Sequence, residues 1–111
     1  MKEVIGGVCA PKGFRAGGIW CGIRKNKTKS DLAMIVSDTM CTAAGVYTKN
    51  KVKGAPIVVT KNHLADGHAQ AVICNSGNAN TCAPNGLAIA EETGALTAKA
   101  LGLLPTDIIV A

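Results

Sequence analysis

Six consecutive residues, Asn75-Ser76-Gly77-Asn78-Ala79-Asn80, have the types and spacing in this chain that best fit chemistry. Asparagine amides donate and accept hydrogen bonds while staying neutral, so Asn75, Asn78 and Asn80 could orient a substrate without titrating. Gly77, with Gly86 nearby, permits left-handed backbone and an amide-lined concavity able to hold a carboxylate or an oxyanion. The same composition also makes a tight strand-to-helix turn closed by Asx hydrogen bonds. The residues alone leave both readings open. Cys74 and Cys82 flank the segment, where a reactive thiol would be best placed.

Other catalytic signatures are missing. Ala10-Pro11-Lys12-Gly13 lacks the spaced glycines and following hydroxyl of a phosphate loop, and neither Gly-x-Ser-x-Gly nor His-Glu-x-x-His occurs. His63 and His68 are five residues apart in a polar stretch and read as a surface turn, not a metal pair. Asp31, Asp38 and Asp66 stand singly beside turn residues, where aspartate caps or starts turns. The five cysteines are odd in number and show no Cys-x-x-Cys pair. That argues against a disulfide framework or a zinc site, and for packed, reduced thiols in a cytoplasmic protein. No metal site is expected.

Two elements would position the loop. Gln70 to Ser76 is a buried-type strand leading into it. After it Leu87, Ala90, Gly94, Ala98 and Leu101 recur at spacings of 3, 4, 4 and 3, one stripe of a helix. Pro84 suits the first turn, Glu91, Glu92 and Lys99 follow the helix dipole, and Gly102 is a C-cap candidate. Upstream, Gly6 to Gly18 reads as an irregular arm. Ile19–Arg24, Asp31–Ser37 and Cys41–Thr48 read as strands of an antiparallel meander joined by polar turns. Pro56–Thr60 is either a short strand or the start of a helix toward Leu64. Asp107–Ala111 is a last strand, whose open edge would invite self-pairing. The fold class is α/β (α+β), residues 1–111 forming a single domain.

The chain has 111 residues, 48% of them apolar, and only Phe14, Trp20 and Tyr47 are aromatic. A core of small and β-branched residues gains less per buried side chain than one rich in large residues, so a partner segment adding buried area makes sense. No apolar run spans a bilayer, and Met1–Gly7 has no secretory apolar stretch. The net charge is +5, with clusters at Arg24, Lys25, Lys27, Lys29 and at Lys49, Lys51, Lys53. Both lie in polar stretches between apolar runs and lack interleaved aromatics, so a solvated surface is favoured over nucleic acid. A stand-alone basic module for RNA or an anionic metabolite is the alternative function.

Five segments in order carry a resemblance: Gly6-Gly7-Val8 with Ala10-Pro11-Lys12-Gly13-Phe14, Asp31-Leu32-Ala33, Ala44-Gly45-Val46-Tyr47-Thr48, and Asn75 to Asn80. Together they resemble the amino-terminal region of the ornithine acetyltransferase family, the bifunctional glutamate N-acetyltransferases of arginine biosynthesis. The resemblance implies a layered sheet-and-helix sandwich similar to N-terminal-nucleophile proteins, of which this chain is an incomplete first part. It implies a precursor that cleaves itself before a threonine, whose freed amine serves as base for its own hydroxyl. That threonine would pass acetyl from N-acetylornithine, or from acetyl-CoA as a substrate, to glutamate, with no resident cofactor. The family's nucleophile and its oxyanion Thr-Gly pair fall beyond Ala111, so no catalytic residue is assigned in this chain. Asn75, Gly77, Asn78 and Asn80 become active-site scaffold. The implied partners are the rest of the alpha chain and the beta chain, completing a heterotetramer of two of each.

Overall fold

The computed structural model describes residues 2–111. It contains strands β1 (Phe14–Ile19), β2 (Leu32–Thr42), β3 (His68–Asn75) and β4 (Ile108–Val110), and helices α1 (Ala55–His63) and α2 (Gly86–Leu101). The strands form one sheet in the order β1-β2-β3-β4. The first three pair antiparallel, and β4 pairs parallel with β3 after α2 has crossed over. The expected mixed α/β class is therefore what the chain adopts.

Two expected elements shift. The first strand lies five residues earlier than Ile19–Arg24 would place it, with Phe14 opposite Ser37 and Ile19 opposite Leu32. Beyond Ile19 the backbone turns away, because the Asp31 carboxylate takes the N–H groups of Cys21 and Arg24 out of any ladder. Cys41–Thr48 is not a separate strand. β2 runs on to Thr42 through a register shift between Val36 and Cys41, where Ser37 Oγ accepts from Thr39 N–H at 3.3 Å and from the Cys41 thiol at 3.2 Å. Residues 43–50 are irregular. The third strand of the antiparallel set is thus β3, reached through a helix and not through a short turn.

The ambiguous Pro56 segment is helical. Proline in the first turn loses no intrahelical bond there, and burial of Val59 outweighs the weak helix propensity of neighbouring β-branched residues. Helix α2 matches its stripe closely, burying Ala90, Gly94, Thr97 and Ala98 while Leu87 stays exposed. Gly102 ends it with φ +69°, and Leu103 N–H returns to Ala98 O at 2.9 Å in a Schellman closure.

The core lies between the two helices and β3–β4. Val59, Ala71, Ile73, Ala90, Ala98, Ile108 and Val110 form it. Its large members contribute about 1.5–3 kcal/mol each on full burial. Gly94 lets α2 approach closely, since a Cβ there would meet His63 Cε1 and Val110 Cγ2 at 3.3 Å. The helices leave much of β1 and β2 uncovered. An apolar groove of about 440 Å³ follows Gly17, Ile19, Leu32, Met34 and Leu101. A second of about 230 Å³ lies over Phe14, Ile35, Val72 and Ile109.

Candidate functional site

The Asn75–Asn80 loop leaves the carboxyl end of β3 and is fixed from three directions. Asn75 N–H donates to Ala111 O at 3.1 Å, Ser76 N–H donates to Asp31 O at 2.8 Å, and Asn80 O accepts from Ala55 N–H at 3.1 Å. Within the loop, Asn78 Nδ2 donates to Asn80 Oδ1 at 3.2 Å, and Asn80 Nδ2 donates to Asn75 Oδ1 at 3.1 Å. The three asparagines form one relay of amides across the loop. Left-handed backbone occurs at Gly77 (φ +94°) and continues at Cys82 (φ 55°) and Asn85 (φ 56°) on the way into α2.

Asn75, Asn78 and Asn80 line a small cleft with Pro56, Gly86, Ile89, Thr93 and Val110. The first turns of both helices face it, so the positive ends of two helix dipoles meet there, the sign that favours a carboxylate or oxyanion. Its volume is about 30 Å³, room for about one water and not for an amino acid. Gly77 does not line the cleft. It packs under Arg24, whose Cγ would lie 2.5 Å from any Cβ at that position, and Arg24 Nη2 donates to Ser76 Oγ.

Asp31 does more than its place beside a turn suggests. It is 2% exposed, and its two oxygens accept from Cys21 N–H at 2.7 Å and Arg24 N–H at 2.8 Å. Burial works against its ionisation, but the N–H groups of Arg24 and Cys21, with help from the Cys21 thiol, prevail and lower its pKa to about 2. The same contact, together with burial, holds Cys21 above the ordinary thiol range. Asp31 thereby joins the basic loop at Cys21–Arg24 to the asparagine loop through its own carbonyl. A single aspartate before a strand gives no sign of this, because its partners fold back from residues on both sides.

The basic loop also holds an aromatic that its spacing hid. Lys27 Nζ sits 5.6 Å from the Trp20 ring centre, and Trp20 Nε1 donates to Arg24 O at 2.8 Å. Trp20 is thus already engaged in shaping the loop. His63 and His68 are apart in role: His63 Nδ1 lies 2.7 Å from Ile108 O, while His68 pairs locally with Asp66. Among the described residues no group of three or more His, Cys, Asp or Glu is placed to hold a metal, and no helix is long and apolar enough to cross a membrane. Cys74 and Cys82, flanking the loop, are both free.

This fold is that of ornithine acetyltransferase structures. The chain superimposes on the arginine biosynthesis bifunctional protein ArgJ of Bacillus halodurans with a TM-score of 0.89 at 37% identity, covering 96% of this chain and 56% of that one. It superimposes on the ornithine acetyltransferase of Mycobacterium tuberculosis, solved with ornithine, with a TM-score of 0.86 at 39% identity, covering 94% and 57%. The family model described as ArgJ matches residues 15–111, and the chain belongs to the ArgJ family. Arginine biosynthesis bifunctional proteins ArgJ are 47% identical in Symbiobacterium thermophilum and 48% identical in Gloeobacter violaceus, over 95% and 100% of this chain. The chain spans 27% and 28% of the length of these relatives.

Proposed function

We propose that the chain is the amino-terminal segment of an acetyltransferase of arginine biosynthesis. It would serve transfer of acetyl from N-acetylornithine, or from acetyl-CoA, to glutamate in the cytoplasm. The observation that carries this reading is the family match over residues 15–111. The site agrees with it in kind: a cleft at strand ends, with three asparagines on one side and Pro56, Ile89 and Val110 among the apolar residues on the other, too small by itself to hold an amino acid, fits one wall of a larger site.

In this reading a threonine outside the chain attacks the acetyl carbonyl of N-acetylornithine. The tetrahedral oxyanion collapses, the C–N bond breaks, and the ornithine amine departs with the proton taken from the threonine hydroxyl. Glutamate's amine then attacks the acetyl ester, and the hydroxyl regains its proton as N-acetylglutamate leaves. The scheme is ping-pong, with neither oxidant nor resident cofactor. Asn75, Asn78 and Asn80 hold the wall in shape beside the reacting groups, and Gly77 admits Arg24, which braces the loop. The remainder of the precursor, alpha and beta chains in a heterotetramer, would cover the apolar grooves over β1 and β2.

The test is acetyl transfer from N-acetylornithine to glutamate by the full-length protein containing this segment. N-acetylglutamate formation and a trapped acetyl-threonine are expected, and absence of transfer in folded, processed protein overturns the reading. RNA binding through Arg24, Lys25, Lys27 and Lys29 has less behind it, since a base would stack on the face of Trp20, and Lys27 Nζ already lies over that ring at 5.6 Å.

A further inference from the structure

We infer that Thr60 is a positioning residue for the reaction, acting through Val110. In a parallel pair, only alternate residues of a strand turn their N–H and C=O toward the neighbour. Ala111 does so, donating to Ile73 O at 2.9 Å and accepting from Asn75 N–H at 3.1 Å. Ile108 and Val110 therefore face outward, where a sheet edge ordinarily stays open. Helix α1 closes that edge. Thr60 Oγ1 donates to Val110 O at 2.7 Å and accepts from Val110 N–H at 3.0 Å. One turn on, His63 Nδ1 is 2.7 Å from Ile108 O. A carbonyl only accepts, so Nδ1 carries the proton in this contact. One hydroxyl does for Val110 what a fifth strand would do. The open edge expected for the last strand is thus corrected at Ile108 and Val110: no self-pairing template remains there.

Val110 lines the asparagine cleft, whereas Thr60 does not. Thr60 is 7% exposed and Val110 3%, so loss of the hydroxyl would leave an N–H and a C=O unpaired away from water. The strand end would then shift to find partners. A misplacement of about 1 Å near reacting groups costs on the order of 100-fold in rate. Thr60 thereby fixes where the strand end meets the cleft without touching a substrate. The inference rests on the acetyl-transfer reading, and its test keeps the two separable.

Thr60→Val keeps the shape and removes the hydroxyl, Thr60→Ser keeps the hydroxyl, and Val59→Ala weakens the adjacent core without touching the clamp. In the full-length enzyme, T60V is expected to lower kcat at least about tenfold with KM for both substrates within about twofold, the pattern of lost transition-state positioning. T60S should stay within about threefold of wild type and V59A within about twofold, even with a lower Tm. The Val110 amide should exchange at least about tenfold faster in T60V and not in T60S. A T60V kcat near wild type overturns the inference, and so does a V59A loss equal to that of T60V. Should T60V not fold, Thr60→Cys, a weaker donor and acceptor, must still lower kcat, and wild-type kcat there overturns the inference. If the wild-type enzyme transfers no acetyl, the functional reading fails, and Val110 exchange alone decides the clamp: unchanged protection in T60V, or in T60C if T60V does not fold, overturns it.

Discussion

The Arg24 side chain lies across Gly77 so closely that a Cβ on Gly77 would sit 2.5 Å from Arg24 Cγ. The backbone there has φ +94°, so a side chain is opposed both by its own conformation and by its neighbour. Gly77→Ala is expected to destabilise the protein by on the order of 1–3 kcal/mol. Urea unfolding measures this. If the contact with Arg24 supplies part of the cost, combining Gly77→Ala with Arg24→Ala will recover part of it, a non-additivity that a backbone effect alone would not show.

Asp31 makes stability depend on pH in a defined window. Its folded pKa is lowered from 3.8 to about 2, so the folded state prefers the carboxylate. That stabilisation is fully present above the unfolded value near 3.8 and is lost as pH falls toward about 2. Tm measured from pH 5 down to about pH 2 should therefore fall more steeply in the parent than in Asp31→Asn, which cannot titrate. At neutral pH D31N melts lower than the parent, because Cys21 N–H and Arg24 N–H bond different carboxylate oxygens and the amide replaces one of those acceptors with an NH2 donor.

Cys21 is exposed, and its thiol is raised above the ordinary range chiefly by its hydrogen bond with the Asp31 carboxylate, with partial desolvation and the carboxylate's charge adding to the effect. Since the thiolate is the reactive form, its alkylation should rise at higher pH in the folded protein than in urea. Mass spectrometry of iodoacetamide-treated protein across a pH series checks this. Equal profiles in both states would remove the carboxylate's influence.

Gly94→Ala pits two effects against each other. Alanine favours a helix over glycine by roughly 0.5–1 kcal/mol, but its Cβ would meet His63 and Val110 at 3.3 Å. Neither can yield freely, because His63 is held by Ile108 O and Val110 by Thr60. Overpacking of this kind costs about 1–3 kcal/mol, so a net loss of about 1 kcal/mol is expected from thermal or urea unfolding. A larger loss is expected for Gly94→Val. A stabilised G94A would show that the helix pair can part.

What the amino-acid sequence determines by itself is local and periodic. Helix α2 was legible because small residues repeat on one face and Gly102 supplies the left-handed stop. The strand leading to Asn75 and the strand at the chain's end were legible as apolar runs. The asparagine loop was recognisable by composition, and the ordered segments around it carried the family resemblance. Tertiary structure decided what depends on partners distant in sequence. The first strand lies at Phe14–Ile19 because Asp31, many residues on, draws the following turn away from the sheet. The Pro56 segment is a helix because Val59 and Thr60 have β4 to pack and bond against, some 50 residues later. Which loop residues face a cleft was settled in the same way: Asn75, Asn78 and Asn80 meet Val110 there, while Gly77 turns to Arg24. Spacing along a chain shows which face a residue takes, but hydrogen bonds across the sheet choose its partner.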